Sequence, residues 1–260
     1  MDVPEMRRRM RAGECTIGFS VRLARSPEIA AVARACGYDW LLVDMEHAAI
    51  DVDLATRMCL AANAEGLVSI VRPPGHDPTI CSRLLDGGAG GLLVPHVDRP
   101  EDIRPILDAC KFAPIGHRSY GGPLPQLDYA SLPHREHMAA ANERSLIIAM
   151  VESPTSVANA EAIAALDGVD MLSFGTHDLT LAMGIPGELD HPRVEEAYRT
   201  VIAACRRHGK TAGVGGIADR ALLERYLPLG FTSIGIASDL GLVLAGARAQ
   251  RAMLRQIVGR

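Results

Sequence analysis

Short runs that are apolar almost throughout alternate along this chain with longer stretches whose apolar residues recur at helical spacing. The runs are TIGFSV from Thr16, WLLVDM from Trp40, GLVSIVRP from Gly66, GGLLVPHV from Gly90, SLIIAMVES from Ser145, DMLSFGTHD from Asp170, TAGVGG from Thr211 and SIGIASD from Ser233. Between most of them lie SPEIAAVARACG, DPTICSRLLDGGA, SVANAEAIAAL, HPRVEEAYRTVIAACRRHG and DRALLERYLPLG. These open on Ser, Asp or His-Pro and run towards Gly, as helices do. Strands that are apolar on both faces belong to a parallel sheet covered by helices. Eight such βα units predict a (β/α)8 TIM barrel that takes residues 1–260 as one domain. A doubly wound sheet also alternates β and α, but it usually has fewer strands and often a Gly-rich first turn, which this chain lacks.

Two segments stand outside this rhythm. Residues 111–145, KFAPIGHRSYGGPLPQLDYASLPHREHMAAANERS, are rich in Pro, Gly and His and only weakly helical. A loop that long inside a compact domain is usually functional or partner-binding. The last segment, LGLVLAGARAQRAMLRQIVGR, has the pattern of an amphipathic helix. Its apolar positions Leu242, Leu244, Met253, Leu254 and Ile257 suit a core face or an interface equally.

Composition narrows the partners. A net charge of −4 gives no general attraction to nucleic acid or to an anionic membrane. The six cysteines, Cys15, Cys36, Cys59, Cys81, Cys110 and Cys205, form no CxxC pair and read as reduced core residues of a cytoplasmic protein. MDVPEMRRRMRAGE is basic, but no apolar stretch follows it, so it is not a secretory signal. No apolar run approaches the roughly 18 residues of a membrane span.

A barrel gathers the C-terminal ends of its strands around one pocket, so polar groups at several strand ends form one site. The second strand ends on Asp44, Glu46 and His47, the third on Arg72, the fourth on Pro95-His96, the fifth on Glu152 and the sixth on Asp178. Each has an ordinary structural reading. Asp44 or Asp178 could cap the next helix, Arg72 could neutralise an acid, and His47 could sit satisfied in the core. Their conjunction at one mouth points instead to chemistry. Two carboxylates with few other protein ligands suit a hard divalent ion such as Mg²⁺, Mn²⁺ or Co²⁺. An arginine can neutralise an enolate, and a histidine can move its proton. The only two lysines, Lys111 and Lys210, lie at no strand end, which disfavours a Schiff-base mechanism.

VDMEHA (43–48), VRPPG (71–75), LLDGGAGGLLVPHVD (84–98), VES (151–153), FGTHDL (174–179) and HGKTAG (208–213) together resemble the HpcH/HpaI aldolases. These are metal-dependent pyruvate aldolases of the phosphoenolpyruvate/pyruvate superfamily of barrels. The resemblance runs in order over nearly the whole chain. It implies that Glu152 and Asp178 hold the metal and that Arg72 stabilises the pyruvate enolate. It further implies that His47 is the base, assisted by Asp44 and Asp86, and that the backbone around Gly175, Thr176, His177 and Asp178 binds the substrate carboxylate. The expected substrates are pyruvate with an aldehyde, or a 4-hydroxy-2-oxo acid. The expected assembly is a homo-hexamer in which the last helix packs on a neighbour.

The chain departs from the family pattern in places. Met150 stands where well-known members carry Gln, Thr176-His177 replace the usual residues before the metal Asp, and Val214-Gly215-Gly216 are smaller than expected, which implies a roomier acceptor pocket. RSYGG (118–122) also differs, in a loop that the resemblance places near the pocket entrance. Two alternatives share the metal site: a citrate-synthase-like Claisen condensation of oxaloacetate with an acyl-CoA, and a non-catalytic keto-acid-binding protein. A phosphoenolpyruvate mutase or lyase needs a phosphate-binding cluster and a reactive cysteine loop, and neither is visible.

Overall fold

The computed structural model describes residues 1–259. Each apolar run forms a strand: β1 Thr16–Val21, β2 Trp40–Asp44, β3 Val68–Arg72, β4 Gly91–Val94, β5 Leu146–Val151, β6 Met171–Gly175, β7 Thr211–Gly215 and β8 Ser233–Ser238. All pair in parallel in chain order, and β8 closes on β1 with one irregularity between Ile17 and Phe19. The result is the (β/α)8 barrel that the alternation predicts. Register aligns the mouth: Asp44 pairs with Arg72 across β2 and β3. Glu152 and Gly175 each lie one residue beyond the paired Val151 and Phe174.

Side-chain alternation along the strands makes two apolar layers. On β2, Leu41 and Val43 face outward, into the layer shared with Met58, Leu84, Ile106 and Val201 of the surrounding helices. Trp40 and Leu42 face inward, with Ile70, Leu93, Ile148 and Met150. The basic N-terminus supplies the missing part of this inner layer. It forms a helix, Val3–Arg11, capped by Asp2, whose side chain accepts the Glu5 N–H at 3.0 Å. Val3, Met6 and Met10 recur at helical spacing and plug the barrel at the strand N-termini. Arg7 reaches Asp170 and Arg9 reaches Asp39, which pins the plug in place.

The long segment is also built on that lower face. It follows the helix Pro100–Cys110, which runs back from the mouth, and it contains the helix His134–Glu143. The buried Lys111 ammonium donates to the Ser145 carbonyl at 2.6 Å and to the Asn142 carbonyl at 3.1 Å. Asn142 in turn clips both backbone groups of Phe112. Within one chain the RSYGG loop is therefore at the opposite end of the barrel from the mouth, not at the pocket entrance. The helix Asp239–Ile257 leaves β8, and Leu242, Leu244, Met253, Leu254 and Ile257 are all exposed, so their apolar face is not a core face. Cys59, Cys81, Cys110 and Cys205 are buried as expected, whereas Cys15 and Cys36 are exposed. Among the described residues no helix is long and apolar enough to cross a membrane.

Met6 is fully buried in the plug. Met6→Ala is expected to lower unfolding stability by about 2–4 kcal/mol through the cavity it leaves. Urea denaturation checks this, and a change within about 0.5 kcal/mol would mean that the helix does not close the barrel.

Candidate active site

The mouth is organised around one buried ion pair. Arg72 grips Asp44 with two hydrogen bonds, Nε to Oδ1 at 3.0 Å and Nη2 to Oδ2 at 2.7 Å. The turn after β2 adds the N–H groups of Glu46 and His47, each 3.1 Å from Asp44 Oδ1. Burial pushes the Asp44 carboxyl up, but the bonds and charge of Arg72 and the His47 N–H outweigh it and hold the group below its ordinary value. Burial works against the Arg72 charge, yet Asp44, Glu46 and Glu152 raise its pKa overall.

Glu46 carries the arrangement round to the next strands. Its Oε2 lies 3.0 Å from Arg72 Nη1, but outside hydrogen-bond alignment, and that buried oxygen is left without a bonded partner. The same oxygen is 3.6 Å from His47 Nε2, and Oε1 is 3.0 Å from His96 Nε2. The carboxylate beside the His47 ring is thus Glu46, while Asp44 meets only the His47 backbone. His96 sits in the left-handed region at φ 51°, rare for a non-Gly residue. That conformation aims its N–H at Glu152 Oε2, 2.7 Å away, with its Nδ1 3.3 Å from the same oxygen.

Glu152 and Asp178, after β5 and β6, lie close enough for their charges to interact. Burial raises the Glu152 pKa most, the His96 N–H and charge partly offset it, and the charges of Asp178 and Glu46 raise it further. Gly175 makes room for this carboxylate, because a Cβ there would lie 2.5 Å from Glu152 Oε1. β6 ends at Gly175, so Asp178 belongs to the first turn of the helix Thr176–Ala182 rather than to the strand end. The Thr176 hydroxyl is buried against Tyr198 and the Gly215 carbonyl, at 2.7 and 3.2 Å. His177 Nε2 lies 2.8 Å from the Gly216 carbonyl.

A cavity of about 290 Å³ opens beside these groups and is lined by Asp44, His47, Arg72 and Asp178. Small residues, Ser20, Ser173, Gly215, Gly235 and Ala237, make up part of its wall, and Leu42, Leu93, Phe174 and Ile236 also line it. Trp40 floors it, filling the barrel axis over Gly18 and Gly235, where a Cβ would come within 2.2 and 2.8 Å of the ring. Met150 and the Val214-Gly215-Gly216 stretch both line it.

The expected residues therefore converge, with one exception. Asp86 ends the helix Pro78–Asp86, which runs away from the mouth, and there it pairs with Arg118 at 2.7 Å. Within one chain it does not meet His47. Glu46 had no assigned part in the sequence reading and His96 was noted only as a strand end, yet both join the two halves of the site. Arg22 went unnoticed, although it follows the apolar run of β1 as Arg72 ends that of β3.

The surplus of carboxylates fits a cation. Glu152 and Asp178 offer hard oxygens, Glu46 Oε2 is a buried oxygen without a bonded partner, and Gly175 leaves the space. Among the described residues no three His, Cys, Asp or Glu side chains form a complete metal cage, so water or substrate oxygens would fill the other positions.

Fold and mouth together define a (β/α)8 barrel that gathers carboxylates, arginines and histidines around one cavity at the C-terminal ends of its strands. The sequence profile of the HpcH/HpaI aldolase/citrate lyase family matches residues 21–245, and the chain belongs to that family. It is a lyase of the aldolase type, in a family that is generally dependent on divalent metals. It is similar to the hydroxypyruvate/pyruvate aldolase of Pseudomonas aeruginosa, 35% identical over 263 residues that cover 100% of this chain and 94% of that one. It also resembles the solved HpcH/HpaI aldolase of Desulfitobacterium hafniense, with a TM-score of 0.89, 29% identity and 95% of each chain covered. The solved citrate synthase SbnG is similar at a TM-score of 0.86 and 26% identity, with 98% of each chain covered.

Removing Arg72 would leave Asp44 and Glu46 buried without their cation. Arg72→Met is expected to cost about 3–5 kcal/mol of unfolding stability, part of which Asp44→Asn in the same chain restores. Because the Asp44 carboxyl is held below its ordinary value, its contribution is complete above that value and is lost as pH falls through the lower folded-state one. Denaturant melts from neutral pH into acid should show this limb flattened in Asp44→Asn.

Proposed function

We propose that this aldolase makes and cleaves 4-hydroxy-2-oxo acids through the enolate of pyruvate, with Mg²⁺, Mn²⁺ or Co²⁺ held by Glu152 and Asp178. The observation that carries the reading is the pairing of these mutually repelling carboxylates with the Arg72 charge at one mouth. When bound, the cation supplies Lewis-acid polarisation of the donor's keto and carboxylate oxygens.

This chain's residues do the rest. The helix that begins at Thr176 presents the N–H groups of Thr176, His177 and Asp178 to the donor carboxylate beside Gly175. His47, half-exposed and close to Glu46, takes the proton from the C4 hydroxyl. The C4 hydroxyl oxygen becomes the aldehyde carbonyl, and the C3–C4 electron pair moves onto the donor as the enolate. Arg72 commits Nε and Nη2 to hydrogen bonds with Asp44 and only lies beside Glu46 through Nη1, so it acts on that enolate chiefly as a fixed charge. Protonation of the enolate carbon releases pyruvate, and addition to an aldehyde is the reverse.

The exposed apolar face of the helix Asp239–Ile257 supports a homo-oligomer, a hexamer by family resemblance, in which this helix packs on a neighbour. Such packing is also a route by which Asp86 and the RSYGG loop would reach a mouth other than their own. Light scattering is expected to give a mass several times the chain's 27.8 kDa, and a monomer would remove the proposal.

Proton exchange at the pyruvate methyl group in heavy water, followed by NMR, tests the chemistry. Exchange should require Mg²⁺ or Mn²⁺, vanish with chelator and fall at least about 100-fold in His47→Ala. No exchange with any divalent ion would defeat the pyruvate reading. Turnover of oxaloacetate with an acyl-CoA would then favour the Claisen reaction, consistent with the likeness to a citrate synthase.

A further inference from the structure

His96 holds a backbone conformation that few residues with a side chain adopt. At φ 51° it lies in the left-handed region, where a non-Gly residue persists only if its surroundings over-determine it. Those surroundings are the turn that follows β4. Before His96, the Pro95 carbonyl is met by His76 Nε2 at 2.6 Å. After it, Val97 is fully buried, the Asp98 N–H donates to Asp102 at 2.9 Å, and the Asn159 amide donates to the Asp98 carbonyl at 2.9 Å.

The same turn is tied to the end of β5. Ser153 Oγ donates to Asp98 Oδ1, and the His96 N–H donates to Glu152 Oε2 at 2.7 Å. The Glu152 main chain is fixed separately, its N–H donating to Ser156 Oγ at 3.1 Å. Oε2 is therefore engaged, whereas Oε1, the oxygen against Gly175, accepts no hydrogen bond from a described residue. The imidazole does less than the main chain. Its Nδ1 is 3.3 Å from Glu152 Oε2 and its Nε2 is 3.0 Å from Glu46 Oε1, neither aligned as a hydrogen bond, and the side chain is 62% exposed.

We propose that His96 is a positioning residue for the cation: its left-handed main chain, rather than its ring, holds Glu152 Oε2 and leaves Oε1 as the oxygen offered to the ion. The inference rests on the metal-aldolase reading above and gives a part to a residue outside the ligand pair. A carboxylate held through one oxygen by a rigid N–H cannot rotate freely, so the ion meets a ligand already set. Groups that orient a metal ligand in this way contribute on the order of 10- to 100-fold to affinity.

The experiment titrates Mn²⁺ calorimetrically into the metal-free protein, without substrate, for wild type, His96→Gly, His96→Asn and His96→Val. Gly adopts a positive φ without strain and Asn tolerates it, so both keep the N–H in place. The β-branched Val is driven out of that region. His96→Gly and His96→Asn should bind Mn²⁺ within about threefold of wild type, and His96→Val at least about tenfold more weakly. Urea midpoints separate this from a structural role: a His96→Val that unfolds earlier but binds Mn²⁺ as wild type does would overturn the proposal. So would a His96→Gly as weak as His96→Val, because the ring would then carry the effect. Should His96→Val fail to fold, His96→Ala takes its place. It differs from His96→Gly only by a Cβ, it should bind more weakly, and equal binding would overturn the proposal. Wild type that binds Mn²⁺ while the variants show no such ranking defeats this inference only. Wild type that binds no Mn²⁺ defeats the metal-aldolase reading as well.

Discussion

Four carboxylates, Asp44, Glu46, Glu152 and Asp178, are gathered at one end of a closed barrel, where like charges repel. The rest of the mouth follows from how this repulsion is managed. Arg72 neutralises the β2 side, gripping Asp44 through two hydrogen bonds and lying beside Glu46. Among the described residues no arginine is paired with Glu152 or Asp178 on the β5 and β6 side. There Glu152 is raised by burial and by Asp178 and Glu46, and it is restrained by His96. Charge is thus balanced on one flank and left unbalanced on the other. On the proposed reading, a divalent ion would sit on the unbalanced flank and the enolate would develop between it and Arg72.

The scaffold makes this concentration of charge sustainable. Parallel register sets Asp44 against Arg72 before any side chain is considered. Glycine at 175 concedes the space that the Glu152 carboxylate occupies. Below them the barrel is filled: Trp40 occupies the axis because Gly18 and Gly235 lack Cβ atoms, and the Val3–Arg11 helix closes the far end. A filled floor leaves the cavity at the rim, where Arg22 lines it beside Asp44.

The fold was legible because its signal is repetitive: eight apolar runs, each followed by a chain reversal, leave few alternatives to a barrel. The site was legible as far as strand ends go, since a barrel turns positions scattered from 44 to 178 into neighbours. Three features escaped for physical reasons. The plug helix has an apolar face of only Val3, Met6 and Met10 among arginines, which reads as a polar tail until the barrel end it fills is known. Asp86 and the RSYGG loop follow helices that run away from the mouth, and a motif carries no direction in space. The partner of the His47 ring depended on side-chain rotation: Asp44 and Glu46 are equally near in sequence, but Arg72 captures the first and leaves the second beside the imidazole. Arg22 obeyed the strand-end rule that found Arg72, and the sequence reading passed over it.

The most direct measurement of the central claim is Mn²⁺ binding followed by electron paramagnetic resonance, in wild type and in Glu152→Gln, with and without pyruvate. If the unbalanced flank is where the cation sits, wild type binds Mn²⁺ and pyruvate tightens that binding, whereas Glu152→Gln weakens it at least about tenfold and loses the effect of pyruvate. Equal binding in the two proteins, or binding indifferent to pyruvate, would contradict the account.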